Sequence, residues 1–112
     1  MKALSMTPPY GQLIAEGRKT IETRMWTTAY RGPILFVCAK RPATAQSGLA
    51  LCVADVVDIR PMTEADEGAA CCSIYPRAQA WILRNIRKVK PFPVRGQLGL
   101  FEVPDSLIEY AP

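Results

Sequence analysis

The stretch GRKTIETR, at residues 17–24, joins a predicted helix to a predicted strand. Gly17 favours a left-handed stop for the helix before it, because glycine adopts positive φ without strain. The residues after this stop alternate as in a strand, which places Glu22 and Arg24 on the same face. Lys19 lies between the helix stop and the strand. The stretch therefore brings three charged side chains to one junction of the fold.

Outward from this stretch, the chain predicts short strands and few helices. The Pro-Pro pair at residues 8–9 fits the first turn of a helix capped by Thr7, because proline lacks the N–H that a first turn leaves unpaired. The run Ile34–Ala39 is apolar throughout, which predicts a strand buried on both faces. Thr63 with Asp66 forms a capping pattern for a short helix. The predicted elements are strands at 2–6, 20–24, 34–39, 49–59 (ending before the proline at 61) and 97–103, and helices at 9–16 and from 63 to about 70.

The segment Trp81–Lys90 fits two kinds of element. Trp81, Ile82 and Ile86 fit one face of a helix, whereas Trp81 and Leu83 also fit the face of a strand. Periodicity alone leaves this choice open. With or without this segment, five or six short strands and two short helices predict a mixed α/β, mainly β domain, a small closed barrel with the helices at its rim.

The composition is that of one compact domain. The chain has 112 residues, of which 49% are hydrophobic and 21% are charged, enough apolar surface for a single core. No apolar run approaches the ~20 residues that a bilayer-spanning helix needs. We therefore expect one domain over residues 1–112, monomeric and cytoplasmic, without membrane contact.

The cysteine and histidine content limits the chemistry. The chain has four cysteines, no C-x-x-C pair and no histidine. Cys38 and Cys52 lie in apolar strand-like runs, where a free cysteine behaves as a small hydrophobe. This content predicts neither a metal site nor a cofactor, and it excludes catalytic units built on histidine. Any acid–base chemistry would use Lys, Glu, Asp, Tyr or Cys.

The formal net charge of +4 is concentrated in two basic stretches, residues 18–41 and 77–95. The first contains a single acid, Glu22, and the second contains none. If the two stretches meet on one face, they would attract a polyanion such as RNA. If they are spread over separate strand faces, they only solvate the surface.

Residues 17–24 match the G-x-K-x-x-E-x-R signature of ASCH domains. The flanks are similar as well: residues 4–6 and 9–14 resemble the opening of the family, and residues 26–32 resemble its W-x-T-x-(aromatic or His)-R-G segment. Residues 93–101 resemble its closing strand pair. The resemblance implies a PUA-like β-barrel in which Trp81–Lys90 is a strand. It also implies a cleft beside the first helix, lined by the signature residues and associated with RNA or single-stranded nucleic acid.

Within such a cleft, Lys19, Glu22 and Arg24 have complementary chemistry. The Lys19 ammonium, at the cleft mouth, suits a phosphate or a carbonyl oxygen. Arg24 offers a planar fork for bidentate contact with a phosphate or a base edge, and Glu22 can accept a hydrogen bond from an exocyclic amine such as that of cytosine. The structural alternative is an ion pair of Glu22 with Lys19 or Arg24, which contributes little where it is exposed.

Three further residues extend the predicted nucleic-acid site. Trp26 and Tyr30 are candidates for stacking on bases, a contact of roughly 1–3 kcal/mol, and Arg31 is a candidate phosphate contact. The structural alternatives are apolar anchoring at the barrel rim for the two aromatic residues and a solvated turn for Arg31. Trp81 and Tyr10 are predicted core residues, and the alternative for Tyr10 is that its hydroxyl reaches the cleft.

The resemblance also implies an enzymatic alternative. Some small members of the family are similar to amidohydrolases that deacylate N4-acetylcytidine, and another has been described as a ribonuclease. Here Lys19 would act as a base, with Glu22 beside it to activate water. The small amidohydrolases carry threonine at the position of Glu22, and their later catalytic glutamate matches no position of this chain. A protein-binding module is the third possibility, although a carboxylate within a basic cleft fits a flat protein interface poorly.

Overall fold

A computed structural model describes residues 1–112, and its main element is one six-stranded sheet. The helices are α1 (Tyr10–Ala15) and α2 (Glu67–Ala70), and 3₁₀ turns cover Glu64–Asp66 and Asp105–Leu107. The strands are β1 (Lys2–Met6), β2 (Ile21–Arg24), β3 (Gly32–Cys38), β4 (Ala50–Pro61), β5 (Gln79–Lys88) and β6 (Phe101–Glu102).

The strand order across the sheet is β2-β5-β4-β3-β1-β6. Strands β1 and β3 are parallel, whereas all other neighbours are antiparallel. The sheet curls into a half-barrel that carries the two short helices. The predicted mainly β, PUA-like fold is therefore confirmed. The prediction that the barrel closes is not, because β2 and β6 are the two edges of the sheet and do not pair with each other. The strand interpretation of Trp81–Lys90 is confirmed too, because β5 pairs with both β2 and β4.

Strand β3 is buried on both faces, as its apolar run predicts. Ile34 and Phe36 belong to the cluster that packs under α1, while Leu35 and Val37 point into a second cluster on the opposite face. Burying a side chain of this size contributes about 1.5–3 kcal/mol. Cys52 lies in the same core, where burial raises the pKa of its thiol to about 12, as expected for a cysteine that acts as a hydrophobe. The two core clusters hold together the sheet that carries the charged residues of the 17–24 stretch.

Helix α1 lies within the predicted helix and ends at the predicted stop. Gly17 has φ of +77°, and the backbone N–H of Lys19 donates to the carbonyl of Leu13 at 3.1 Å. The prediction that Thr7 caps the helix through its side chain is wrong. The Thr7 carbonyl, not the hydroxyl, accepts the N–H of Tyr10 at 3.0 Å, and no side-chain cap forms.

The last predicted strand and the end of β4 differ from the predictions, and each difference has a physical reason. The predicted strand at 97–103 is reduced to the two residues of β6, because only Phe101 and Glu102 pair with β1 and Gly99 turns the chain with φ of +65°. Strand β4 runs on to Pro61, which pairs with Gln79 at the strand end. Proline is tolerated there because a terminal position needs no further ladder hydrogen bond. None of the helices has the length and apolar character needed to cross a membrane.

The capping pattern at Thr63 and Asp66 is confirmed, and it anchors the segment that leads into α2. The Asp66 carboxylate accepts the Thr63 N–H at 2.8 Å and two Arg60 hydrogen bonds at 2.7 and 2.8 Å. The Arg60 guanidinium and then the Thr63 N–H hold the pKa of this carboxyl well below its ordinary value of 3.8. This anchor fixes the segment that leads to Ala70, at the end of α2. It matters to the charged junction because the Ala70 carbonyl accepts a hydrogen bond from Lys19.

We expect Asp66→Asn to lower the free energy of unfolding by about 0.5–2 kcal/mol near neutral pH. Because the pKa of Asp66 is lowered in the folded state, its stabilisation is present above the ordinary pKa of 3.8 and is lost as the pH falls through the folded value. The difference between wild type and variant should therefore shrink from about pH 4 downward. Urea unfolding over this range measures it, with the exposed Asp58→Asn as control; a constant difference would contradict the assignment.

Candidate functional site

A cleft of about 530 Å³ opens where the carboxyl end of β1, helix α1 and strand β2 meet. This volume lies in the range of small-ligand pockets. Its lining combines the three signature charges with apolar, aromatic and hydroxyl side chains: Ser5, Met6, Thr7, Tyr10, Lys19, Glu22, Thr23, Arg24, Met25, Trp26, Cys72 and Tyr75.

The sequence predicts Lys19 at the mouth of the cleft, but the structure places it on the floor. The residue is only 1% exposed. Its Nζ donates a hydrogen bond to the carbonyl of Ala70, at the end of α2, and lies 5.0 Å from the centroid of the Tyr10 ring. After the turn at Gly17 the chain runs toward the interior of the domain. The Thr20 N–H donates to the Ala69 carbonyl at 2.9 Å, which holds this segment against α2. The lysine is therefore held between α1 and α2.

Glu22 is buried beside this lysine on strand β2. Its Oε1 is 3.6 Å from Lys19 Nζ, and its Oε2 accepts a hydrogen bond of 2.7 Å from Arg24 Nε. Glu22 is directly opposite Trp81 of β5 in the sheet register, so the indole forms the core beside the carboxylate. Glu22 and Lys19 therefore form the ion pair that the sequence offers as the structural alternative. This pair is buried, however, with side chains 1% and 6% exposed.

Arg24 links the signature to strand β1. Its Nη2 donates to the Ser5 carbonyl at 2.8 Å and contacts the Met6 sulfur at 3.2 Å, while its Nε donates to the Glu22 carboxylate. The Nε and Nη2 donors, which the sequence predicts for bidentate contact with a ligand, are therefore already bonded to protein groups. Only Nη1 has no protein acceptor. Arg24 therefore fixes the Glu22 carboxylate and keeps this one nitrogen, with its two N–H groups, for a ligand.

The floor of the cleft thus carries two cations and one carboxylate, a formal net charge of +1. Every buried side-chain nitrogen and oxygen has a hydrogen-bond partner. The Cys, Asp and Glu side chains of the chain form no group of three that could hold a metal ion. The charged groups at the floor of the cleft can contact a ligand through hydrogen bonds and through charge.

Trp26 forms one wall of the cleft and is also anchored to the core. Its ring meets Trp81 edge-on, with centroids 4.9 Å apart and an interplanar angle of 86°. The Trp81 Nε1 donates to the Trp26 carbonyl at 3.3 Å. Trp26 is nevertheless 37% exposed and lines the cleft. The stacking role and the anchoring role predicted for this residue are therefore compatible.

The structure does not bring Tyr30 and Arg31 into the cleft. The Tyr30 hydroxyl donates to the Pro33 carbonyl at 2.7 Å, and burial raises the pKa of this phenol. Arg31 Nη1 donates to the carbonyls of Thr28 and Tyr30, at 2.8 and 2.9 Å. Both side chains stabilise the turn before β3, and a binding role for either stays a prediction.

Sequence reasoning missed several lining residues. Thr23 and Cys72 form part of one wall, with Oγ1 and Sγ 3.7 Å apart, and Tyr75 lies near them in the lining. The Tyr75-Pro76 pair stands out in the sequence only as a break in the chain. Ser5 and Met6 reach the cleft because β1 ends there, and no local motif signals that position.

Comparisons with known proteins agree with this architecture. The model of the ASCH domain family matches residues 4–93. A crystal structure of ASCH from Zymomonas mobilis superposes with a TM-score of 0.70 at 17% identity, covering 94% of this chain and 88% of that chain. A tyrosine-to-phenylalanine mutant of the Z. mobilis protein gives a TM-score of 0.69 at 15% identity, covering 96% and 98%. A search of curated proteins finds no significant match.

Proposed function

This chain belongs to the ASCH domain family, and we propose that its cleft binds one unstacked base of RNA or single-stranded nucleic acid, or the corresponding nucleoside. The observation that carries the proposal is the buried Lys19–Glu22 pair at the floor of a cleft with apolar and aromatic walls. A charged floor beneath such walls is typical of a site that orients a flat, polar-edged ligand.

The floor matches the edge of a base that has an amine next to ring acceptors. Glu22 can only accept hydrogen bonds when ionised, and the Lys19 ammonium can only donate them. Cytosine presents an exocyclic amine beside a ring nitrogen and a carbonyl oxygen, so the amine suits Glu22 and the acceptors suit Lys19. Arg24 keeps the carboxylate oriented through its Nε, at 2.7 Å. The pair therefore reads a base edge and leaves the sugar and phosphates toward the open side.

The walls supply contacts that do not depend on base identity. Trp26 and Tyr75 line the cleft together with Met6 and Met25. Stacking of a base on an aromatic face contributes roughly 1–3 kcal/mol and tolerates any base. Base recognition in single-stranded RNA commonly combines such stacking with hydrogen bonds to exposed base edges. The cleft has both kinds of group at one place.

We expect Lys19→Met to weaken binding of a labelled, cytidine-containing single-stranded RNA about 10- to 150-fold, the loss of ~1.5–3 kcal/mol for a hydrogen bond to a charged group. Methionine keeps most of the length of the side chain, and Glu22 keeps Arg24 as its partner. Fluorescence anisotropy at fixed salt measures the affinity. Lys2→Met is the matched control, because it removes an ammonium at the opposite end of β1.

Equal weakening by Lys2→Met would mean that only general charge attracts the RNA, and unchanged binding in Lys19→Met would contradict the proposal. Circular dichroism establishes that both variants are folded. Competition of free cytidine against the labelled RNA on the wild-type protein gives a second readout that needs no variant.

Deacylation of N4-acetylcytidine is the second candidate, favoured by the 3.6 Å separation of Lys19 Nζ and Glu22 Oε1 in a buried site. Such a pair could orient a water for attack on an amide carbonyl. Incubating wild type and Lys19→Met with N4-acetylcytidine separates the candidates. Release of acetate and cytidine by wild type alone would establish the hydrolase, whereas binding without turnover leaves the base-binding function.

A further inference from the structure

We propose that a bound single strand of nucleic acid passes Ser5 on leaving the base cleft and lies along a second cavity, where Lys40 and Arg95 contact its phosphates. This inference rests on the proposed base-binding function. It adds that the partner is a polynucleotide and not a free nucleoside, and it gives the direction in which the strand leaves the cleft.

The second cavity adjoins the base cleft. Its volume is about 450 Å³, and Ser5 lines both this cavity and the base cleft. The cavity continues into a third, of about 590 Å³, and the two share Lys40 and Arg95 in their lining. We refer to these three adjoining cavities, which are linked by the shared lining residues Ser5, Lys40 and Arg95, as the path.

Strand topology explains why the cavities adjoin. Strands β1 and β3 are parallel and in register at Met6 and Cys38, so their carboxyl ends lie side by side. The Ala39 N–H donates to the Met6 carbonyl at 2.8 Å, which carries Lys40 past the end of β1. The segment that bears Arg95 is held across the same end, because the Val94 N–H donates to the Gly48 carbonyl at 2.9 Å.

Ser5 is the wall between the base cleft and the second cavity. On one side its carbonyl accepts the Arg24 Nη2 hydrogen bond of 2.8 Å. On the other side Gly96 approaches so closely that a Cβ there would lie 2.5 Å from the Ser5 Oγ. Both cavities therefore contact Ser5, and in this proposal a strand that places a base beside Glu22 continues past this residue into the second cavity.

The charge of the path fits phosphates. Lys40 and Arg95 are exposed, and neither has a carboxylate within 4.0 Å. Other cations without an acidic partner, such as Arg77 and Arg84, line none of the three cavities. No acidic residue lines the second or third cavity. Two unpaired cations in an open, acid-free groove attract a phosphate backbone without reading its sequence. The base cleft would then supply selectivity, and the second and third cavities would supply affinity.

The test uses the full chain, the double variant Lys40→Ala/Arg95→Ala and a single-stranded RNA of about eight nucleotides. We expect RNA affinity to fall roughly tenfold or more, and the slope of log K against log salt to fall by about 1.4, that is, about 0.7 for each lost phosphate contact. Affinity for free cytidine should not change. The matched control is Arg77→Ala/Arg84→Ala, which removes two exposed cations that line none of these cavities.

The possible results separate this inference from the function on which it rests. Equal losses in the two double variants would overturn the path, because only the overall charge would then matter. Unchanged RNA binding in Lys40→Ala/Arg95→Ala, with cytidine still bound, would overturn the path and leave the base cleft intact. A wild-type protein that binds neither cytidine nor RNA would overturn the base-binding function and the path with it.

Discussion

Replacing Glu22 with alanine is expected to destabilise the folded protein by about 3–5 kcal/mol, the cost of removing one partner of a buried ion pair. Lys19 would keep the Ala70 carbonyl and the Tyr10 ring, but its charge would remain buried without a carboxylate. Arg24 would lose its 2.7 Å partner as well. Because domains of this size are stable by only about 5–15 kcal/mol, the variant should unfold at a much lower urea concentration.

Two comparisons make this prediction specific. Glu102→Ala removes the exposed partner of Lys2, an ion pair of 2.6 Å, and should cost only about 0–1 kcal/mol. The double variant Lys19→Met/Glu22→Leu removes both buried charges and should recover much of the stability. If Glu22→Ala costs no more than Glu102→Ala, the carboxylate is not buried against the lysine and the described floor of the cleft is wrong.

Replacing Trp81 with alanine should also cost about 3–5 kcal/mol, the usual range for deleting a buried indole. Trp81 is fully buried, meets the Trp26 ring edge-on and donates to the Trp26 carbonyl at 3.3 Å. It also lies opposite Glu22 in the register of β2 and β5. Its loss should therefore loosen both the aromatic wall and the floor of the cleft, and weaken ligand binding along with stability.

Trp26→Ala is the matched control, since it deletes the same side chain where that side chain is 37% exposed. We expect a clearly smaller loss of stability from Trp26→Ala and a loss of binding through the missing stacking contact, roughly 1–3 kcal/mol. Thermal or urea unfolding with a binding titration measures both effects. Equal losses of stability in the two variants would contradict the assignment of Trp81 to the core and of Trp26 to the wall.

Local signals in the sequence predicted much of the secondary structure that surrounds the site. The positive φ of Gly17, the Thr63–Asp66 cap and the double-sided burial of β3 each depend on a few neighbouring residues. The signature stretch placed Glu22 and Arg24 on one strand, and both line the cleft together with Lys19. These features are predictable because turn, cap and alternation preferences act over short sequence distances.

Other features depend on contacts between distant parts of the chain. The burial of Lys19 requires the carbonyl of Ala70, 51 residues away. The occupation of the Arg24 fork requires the Ser5 carbonyl at the end of β1. The shortness of β6 follows from how few residues of the closing segment reach β1. No local pattern encodes these distances, so the sequence predicted the members of the charged cluster but not its depth or its internal hydrogen bonds.

The central claim, that Glu22 and Lys19 read the edge of a base, is tested most directly by titrating the wild-type protein with cytidine and with uridine. The two nucleosides differ at the exocyclic group, which is an amine in cytidine and an oxygen in uridine. We predict that cytidine binds roughly 5- to 150-fold more tightly, the equivalent of 1–3 kcal/mol for reading a base edge. Equal affinities would contradict the claim, because an oxygen facing the Glu22 carboxylate would then carry no penalty.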